Sequence, residues 1–159
     1  DSGGVSVVPA FTGLGAPYWD AEARGLISGL TLDSTADQII VATIQSVAFQ
    51  VADLFEIMGK NGSVAGQLRV DGGMAVNKSF CQFMSDILDL PIETPADIET
   101  TAKGAALLAG LGAQMWKDVE EIRRLWSPGG NYRPSMPSDR RKALRNEFFM
   151  AVERARLRV

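Results

Sequence analysis

The best-placed chemistry in this chain of 159 residues lies in Leu68-Arg-Val-Asp-Gly-Gly-Met-Ala-Val-Asn77. A strand ending in Asp71, two glycines and an immediate helix start put backbone amides at the mouth of a βα turn. Glycines there, Gly72 and Gly73, let a ligand or another backbone come close with no Cβ in the way. The helix N-terminus behind them presents free amides and a positive dipole, suited to an anion or to adenosine hydroxyls and ring edges. Asn77 is expected in the first turn of that helix, facing the same crevice. A bare βα turn in which Gly73 answers only to sterics has the same spacing, and the residues alone do not separate the two.

Four carboxylates, Asp20, Asp71, Asp86 and Glu99, are candidates for acid–base work. Asp71 is the best placed, yet an Asx-type turn cap accounts for it without catalysis, and that reading is preferred. Asp20 and Arg24 read as a local ion pair. Phe11, Tyr18 and Trp19 stand in a loop rich in Gly and Pro. Their large apolar area points to burial against the domain rather than to the rim of a cleft. Cys81, among Phe80, Phe83 and Met84, reads as a buried inert thiol, because no His or second Cys exists to activate it. Seven basic residues crowd the end of the chain: Arg140, Arg141, Lys142, Arg145, Arg154, Arg156 and Arg158. A solvated helix face, with cations at the negative end of the dipole, is preferred there to a nucleic-acid surface.

The counts exclude whole classes. With no histidine and one cysteine, a Ser-His-Asp triad, a Cys-His pair, an HExxH site, a Cys/His zinc site and an intramolecular disulfide are all impossible within the chain. Sixteen basic against nineteen acidic residues give a net charge of -3, so no bulk positive field for nucleic acid is present. Gly59-Lys60 is followed by Asn61 and completes no Walker A motif; Gly13-Leu14-Gly15 runs into Ala16-Pro17 and completes no GxGxxG. The start lacks a basic and an apolar leader region. No uninterrupted run approaches the ~18 apolar residues of a membrane span. A cytoplasmic location and no membrane partner are therefore expected. The first residue is Asp1 rather than Met, so the chain is expected to begin partway through a larger protein.

These groups need elements to position them. Residues 5–9 and 26–30 read as strands, the pair forming a meander with a long loop. Thr35-Ala-Asp-Gln38 fits a capping box. Behind it Ile40, Ile44, Val47, Val51, Leu54 and Met58 form one helical stripe, stopped by Gly59 and Asn61-Gly62. A strand over 67–70 feeds a helix over 76–89, with Phe80, Phe83, Met84, Ile87 and Leu88 inward. A strand over 91–94 follows. Next comes a helix over 100–116 with a small-residue face (Ala102, Gly104, Ala105, Ala106, Ala109, Gly112 and Ala113) that lets another backbone approach. A short helix is expected within 117–126. Residues 127–138, with three prolines and two glycines, read as an aperiodic break. A last amphipathic helix spans 139–156, with Leu144, Phe148 and Val152 on one face. The order is α/β, a mixed sheet with helices packed on it. Residues 1–126 form the expected domain; 127–159 are a linker and a helix packed on it.

Val70-Asp-Gly-Gly-Met-Ala-Val-Asn77, with Gln82-Phe83 and Asp86-Ile-Leu88, resembles the adenosine motif of the glycerol kinases, in the FGGY carbohydrate kinase family. Three further stretches resemble the same family in the same order. They are Val8-Pro-Ala-Phe-Thr-Gly-Leu-Gly-Ala-Pro-Tyr-Trp-Asp20 with Ala23-Arg-Gly25, Gln38 to Gln50, and Glu99-Thr-Thr-Ala-Lys-Gly-Ala-Ala-Leu-Leu-Ala-Gly110. The first is closer to the glycerol kinase version than to that of xylulokinases or gluconate kinases. The likeness covers about residues 7–116. Lys103 departs from the usual apolar residue of its helix, and Thr94 from a frequent Arg.

The resemblance implies a ribonuclease H-like, actin-like ATPase domain, the C-terminal side of an ATP-dependent kinase. It implies ATP/ADP with Mg²⁺, with Gly73 and Asn77 contacting the nucleotide and Gly72 shaping the turn. Glycerol would bind with a missing N-terminal domain. The catalytic base is expected upstream, and none in this chain. Another FGGY sugar kinase and a non-enzymatic actin-like nucleotide-binding domain remain the alternatives. Assembly into a homo-oligomer is left open.

Overall fold

The computed structural model describes residues 1–60, 62 and 66–157. Asn61 of the expected Asn61-Gly62 helix stop, and Arg158 of the basic tail, lie outside the described residues.

Strand β1 (Ser6–Val8) pairs antiparallel with β2 (Leu26–Ser28), Val7 opposite Ile27. Helix α1 (Ala36–Lys60) follows, and its entry is the expected reciprocal cap. Gln38 N donates to Thr35 Oγ1 at 3.3 Å, and Thr35 N to Gln38 Oε1 at 2.9 Å. Strand β3 (Leu68–Arg69), helix α2 (Lys78–Leu88), strand β4 (Ile92–Pro95) and helix α3 (Thr100–Gly112) come next. A short helix α4 (Val119–Arg123), strand β5 (Pro128–Tyr132) and helix α5 (Ser138–Arg156) complete the order. The second sheet runs β3-β4-β5, parallel between β3 and β4 and antiparallel between β4 and β5. It is the expected mixed α/β arrangement, with β3 on an open edge.

One apolar cluster joins β1, the loop after it, α1, α2 and α5 through Val8, Leu14, Phe49, Ile87, Phe148 and Val152. Phe49 stacks on Phe148 at 4.8 Å between ring centroids and meets Phe83 edge-on at 5.5 Å. A second cluster, Ala48, Ala75, Phe80, Cys81, Met84 and Ile92, sits under the βα turn and fixes its floor.

Four expectations are corrected. The buried face of α1 is Ala42, Ser46, Ala48, Phe49 and Ala52, not the Ile/Val/Leu stripe. Ile44, Val47 and Val51 are only partly covered, and Ile40, Leu54 and Met58 are exposed. Small residues permit the closest helix approach, so they take the centre of the contact and the bulky stripe flanks it. By length and composition α1 is also long and apolar enough to cross a bilayer, which overturns the reading that nothing in the chain is. Here α1 supplies residues to all three apolar clusters. Residues 127–138 are not a plain break, because Pro128–Tyr132 is a strand on β4. Its glycines serve close approach: a Cβ on Gly129 would stand 2.8 Å from Ala96 Cα. Helix α3 ends at Gly112 rather than Trp116 and leaves Ala102, Ala105, Ala106 and Ala109 exposed.

Candidate functional site

Beyond β3, Val70 N still donates to Glu93 O at 3.0 Å, so β4 carries the chain to the mouth of the turn. Gly72 sits at φ +85°, ψ -177°, a backbone conformation that side-chain-bearing residues avoid. Gly73 is different. Its φ lies outside the left-handed region, and a Cβ there would meet nothing within 4 Å. The steric demand of the turn therefore falls on Gly72, and the folded turn does not call for glycine at 73.

Gly73–Val76 make one turn of 3₁₀ helix, with Ala75 N donating to Gly72 O at 3.0 Å and Asn77 N to Met74 O at 3.1 Å. The regular helix starts at Lys78, so Asn77 is its N-cap and not a first-turn residue as expected. Asparagine competes for helix-end amides, which favours it at that position. Its Oδ1 accepts from Phe80 N at 3.1 Å, while Nδ2 has no partner among the described residues. Beside Asn77 a groove of about 160 Å³ runs between α1 and α2, with Val41, Ile44 and Phe83 as apolar wall and Gln45 and Ser79 as polar groups.

Three of the four candidate carboxylates have structural partners. Asp71 accepts from the Thr100 hydroxyl, tying the turn to the first residue of α3. That bond spans 29 residues, and no local pattern could have pointed to Thr100. Buried Asp86 accepts from Ser135 N at 2.7 Å, Met136 N at 3.1 Å and Gln82 Nε2 at 3.1 Å, holding the approach to α5. Asp20 accepts from Glu22 N and Ala23 N and lies 3.5 Å from Arg156 Nε; Arg24 pairs with Glu22 instead. Glu99 makes no capping bond to α3. Cys81 is buried, donates to Ala75 O at 3.4 Å, and burial pushes its thiol pKa up, as an inert thiol requires. Among the described residues no three Cys, Asp or Glu come together to hold a metal.

The aromatic loop divides. Tyr18 is anchored: its hydroxyl donates to Asp53 at 2.7 Å, and Asp53 faces Arg145 at 3.3 Å, which also holds Glu56 at 2.8 Å. Burial and the Asp53 bond raise the phenol pKa far above its usual value. Burial raises that of Asp53, while Lys60 and Arg145 lower that of Glu56. Phe11 and Trp19 are not buried, against expectation; they are 82% and 80% exposed, Trp19 at φ +48°. Four cations of α5 have acidic neighbours rather than being merely solvated. Arg141 is bidentate on Asp89 at 2.9 Å, Arg145 holds Asp53 and Glu56, Arg156 pairs with Glu153, and Arg140 lies 3.9 Å from Asp1.

Comparison with known proteins bears on the family. Residues 1–113 match the profile of the FGGY family of carbohydrate kinases, C-terminal domain. Glycerol kinase 2 of Thermotoga maritima is 49% identical over 156 residues, which cover 98% of this chain and 32% of that protein. The glycerol kinase of Petrotoga mobilis is 50% identical over 157 residues, with the same coverage. Among solved structures, Plasmodium falciparum glycerol kinase with ADP superposes at a TM-score of 0.87 with 35% identity, over all of this chain and 32% of that one. The gluconate kinase of Lactobacillus acidophilus shares the fold alone, at a TM-score of 0.75 and 24% identity over 96% of this chain and 30% of that one. The chain thus spans about a third of the length of the curated relatives it matches. It belongs to the FGGY family of carbohydrate kinases, as their C-terminal domain.

Proposed function

We propose that this chain is the nucleotide-holding side of a kinase that transfers the γ-phosphate of ATP to glycerol, and that it acts in the cytoplasm. The turn at 72–77 carries the reading. Gly72 sets the backbone, Gly73 leaves open space the protein does not need, and Asn77 keeps a free amide donor at the head of α2. That combination suits an adenosine moiety: Nδ2 donates to a ring or ribose acceptor, while the groove beside Asn77 offers apolar wall. The glycerol kinase relatives and the ADP complex of the Plasmodium enzyme support nucleotide and polyol as ligands.

Phosphoryl transfer is mostly positioning and electrostatic stabilisation, with a carboxylate accepting the hydroxyl proton and Mg²⁺ neutralising phosphate charge. Of the carboxylates weighed here, Asp20, Asp71 and Asp86 are engaged structurally. The base, the polyol pocket and the metal ligands belong to the rest of the protein in this reading. The 159-residue chain alone then forms no glycerol 3-phosphate, and product above a contaminant control would contradict it. In the longer protein, Gly73→Val should raise KM for ATP far more than KM for glycerol. Equal effects on both would remove the adenosine role, and a preference for another polyol or sugar would remove glycerol.

A further inference from the structure

We propose that the cavity between α3, the segment after α4 and the carboxyl ends of β3 and β4 binds a small organic phosphate. This site is separate from the adenosine turn. The cavity holds about 610 Å³, enough for a ligand of metabolite size. Arg69, Lys103, Arg124 and Trp126 line it.

Arg69 is pre-positioned from two sides. Its Nε donates to Glu93 Oε2 at 2.9 Å, and its guanidinium lies 4.4 Å from the centroid of the Trp126 ring. Trp126 Nε1 donates to the same Glu93 oxygen at 3.2 Å, which locks the indole. The two terminal nitrogens of Arg69 are left without an acceptor among the described residues. Among the described residues Lys103 Nζ reaches only Asp97, at 3.9 Å, too far for a hydrogen bond. Arg124 has no acidic partner among the described residues. Three cationic heads with unused donors thus surround one space. Asp97 is the acidic residue of its lining, and the fourth cation there, Arg123, is taken by Glu120 at 2.5 Å.

A phosphate monoester suits this set better than a lone carboxylate. Its dianion offers three oxygens, and fork-shaped guanidinium donors match phosphate geometry. The apolar wall formed by Pro95, Leu107, Ile122 and Leu125 takes the remainder of the molecule. Lys103 is the position at which the sequence departs from the helix it resembles, so this charge is a property of the chain itself. Thr100 lines the cavity and donates to Asp71, which places the two sites side by side while leaving their cations and amides distinct.

Phenyl phosphate titrated into the chain tests the proposal, followed by the Trp126 indole N–H resonance, which Trp126→Phe identifies. A saturable shift is expected, with benzyl alcohol giving none. The double variant Lys103→Leu, Arg124→Ala should weaken binding at least about tenfold, since each lost charge-assisted bond is worth roughly that much. Thermal unfolding of the variant should match the parent chain, both side chains being exposed. Saturating adenosine and Gly73→Val should leave the shift unchanged. Absence of a saturable shift at millimolar probe, or binding that survives the double variant, overturns the proposal. So does displacement by adenosine, which would make the cavity part of the nucleotide site.

Discussion

Asn77 carries two loads that substitution can separate. Its Oδ1 caps α2 through Phe80 N at 3.1 Å, and its Nδ2 is the donor assigned to adenosine. Asn77→Ala removes both. Loss of a cap costs about 1 kcal/mol, which for a domain of this size lowers Tm by roughly 2–4 °C. Loss of one neutral hydrogen bond to the ligand costs about 0.5–1.5 kcal/mol, or roughly 2- to 13-fold in Kd. Asn77→Asp removes only the second. A carboxylate caps as well as an amide and adds about 0.3–1 kcal/mol of favourable charge–dipole energy at a helix N-terminus. It has no donor and repels the phosphates. Tm should therefore fall in Asn77→Ala and hold or rise in Asn77→Asp, while ADP binding weakens in both and at least as much in Asn77→Asp. Calorimetric unfolding gives the first quantity and titration with ADP the second, or KM for ATP in the longer protein. Asn77→Asp binding nucleotide as tightly as the parent would refute the donor role. Asn77→Ala with an unchanged Tm would refute the cap.

Further outcomes follow from the same geometry. Gly72→Ala forces a side chain into φ +85° and should cost about 1–3 kcal/mol in unfolding free energy. Gly73→Ala should leave stability within about 1 kcal/mol, because its Cβ meets open space, yet weaken ADP binding; the reverse pattern would exchange the two roles. The Tyr18 phenol is raised above its usual value of 10.0, so its contribution is complete below pH 10 and is lost above it, as the unfolded tyrosine ionises first. Urea unfolding from pH 7 to 11 should show that alkaline decline, and Tyr18→Phe should flatten it. Phe148→Ala empties the space against Phe49 at the centre of the first cluster and should cost about 3–5 kcal/mol, read from the shift in the urea midpoint.

Much of the fold was legible because its signals are local. The Thr35/Gln38 box, the inward Phe80, Met84 and Ile87 of α2, and the Leu144, Phe148 and Val152 face of α5 all stand as read. What failed depended on a neighbour. Helix α1 is apolar on several sides, so periodicity alone could not choose the face; packing chose the alanines, which let α2 and β1 come closest. Strand β5 carries Pro128, Gly129 and Gly130, which read as a breaker until β4 stands beside them. The exposure of Phe11 and Trp19 had no local signal either, since aromatic area favours burial only where a surface exists to receive it.

The site shows the same division more sharply. Gly72 and Gly73 are chemically identical neighbours; residue type gives both the same use, and the family resemblance alone gives Gly73 the contact and Gly72 the turn. Backbone angles divide the work: φ +85° makes glycine a conformational requirement at 72, and no such requirement holds at 73. A residue that is small without internal cause, next to a donor left unpaired on Asn77, is what close approach by an outside molecule would leave behind. Asp71 moves the opposite way. It stood as the foremost carboxylate in sequence, and its bond to Thr100 accounts for it as the strap between β3 and α3. In the proposed reading, function at this turn is carried by what the fold leaves unused, Nδ2 of Asn77 and the space at Gly73. The carboxylate best placed in the sequence is one the fold already holds in a bond.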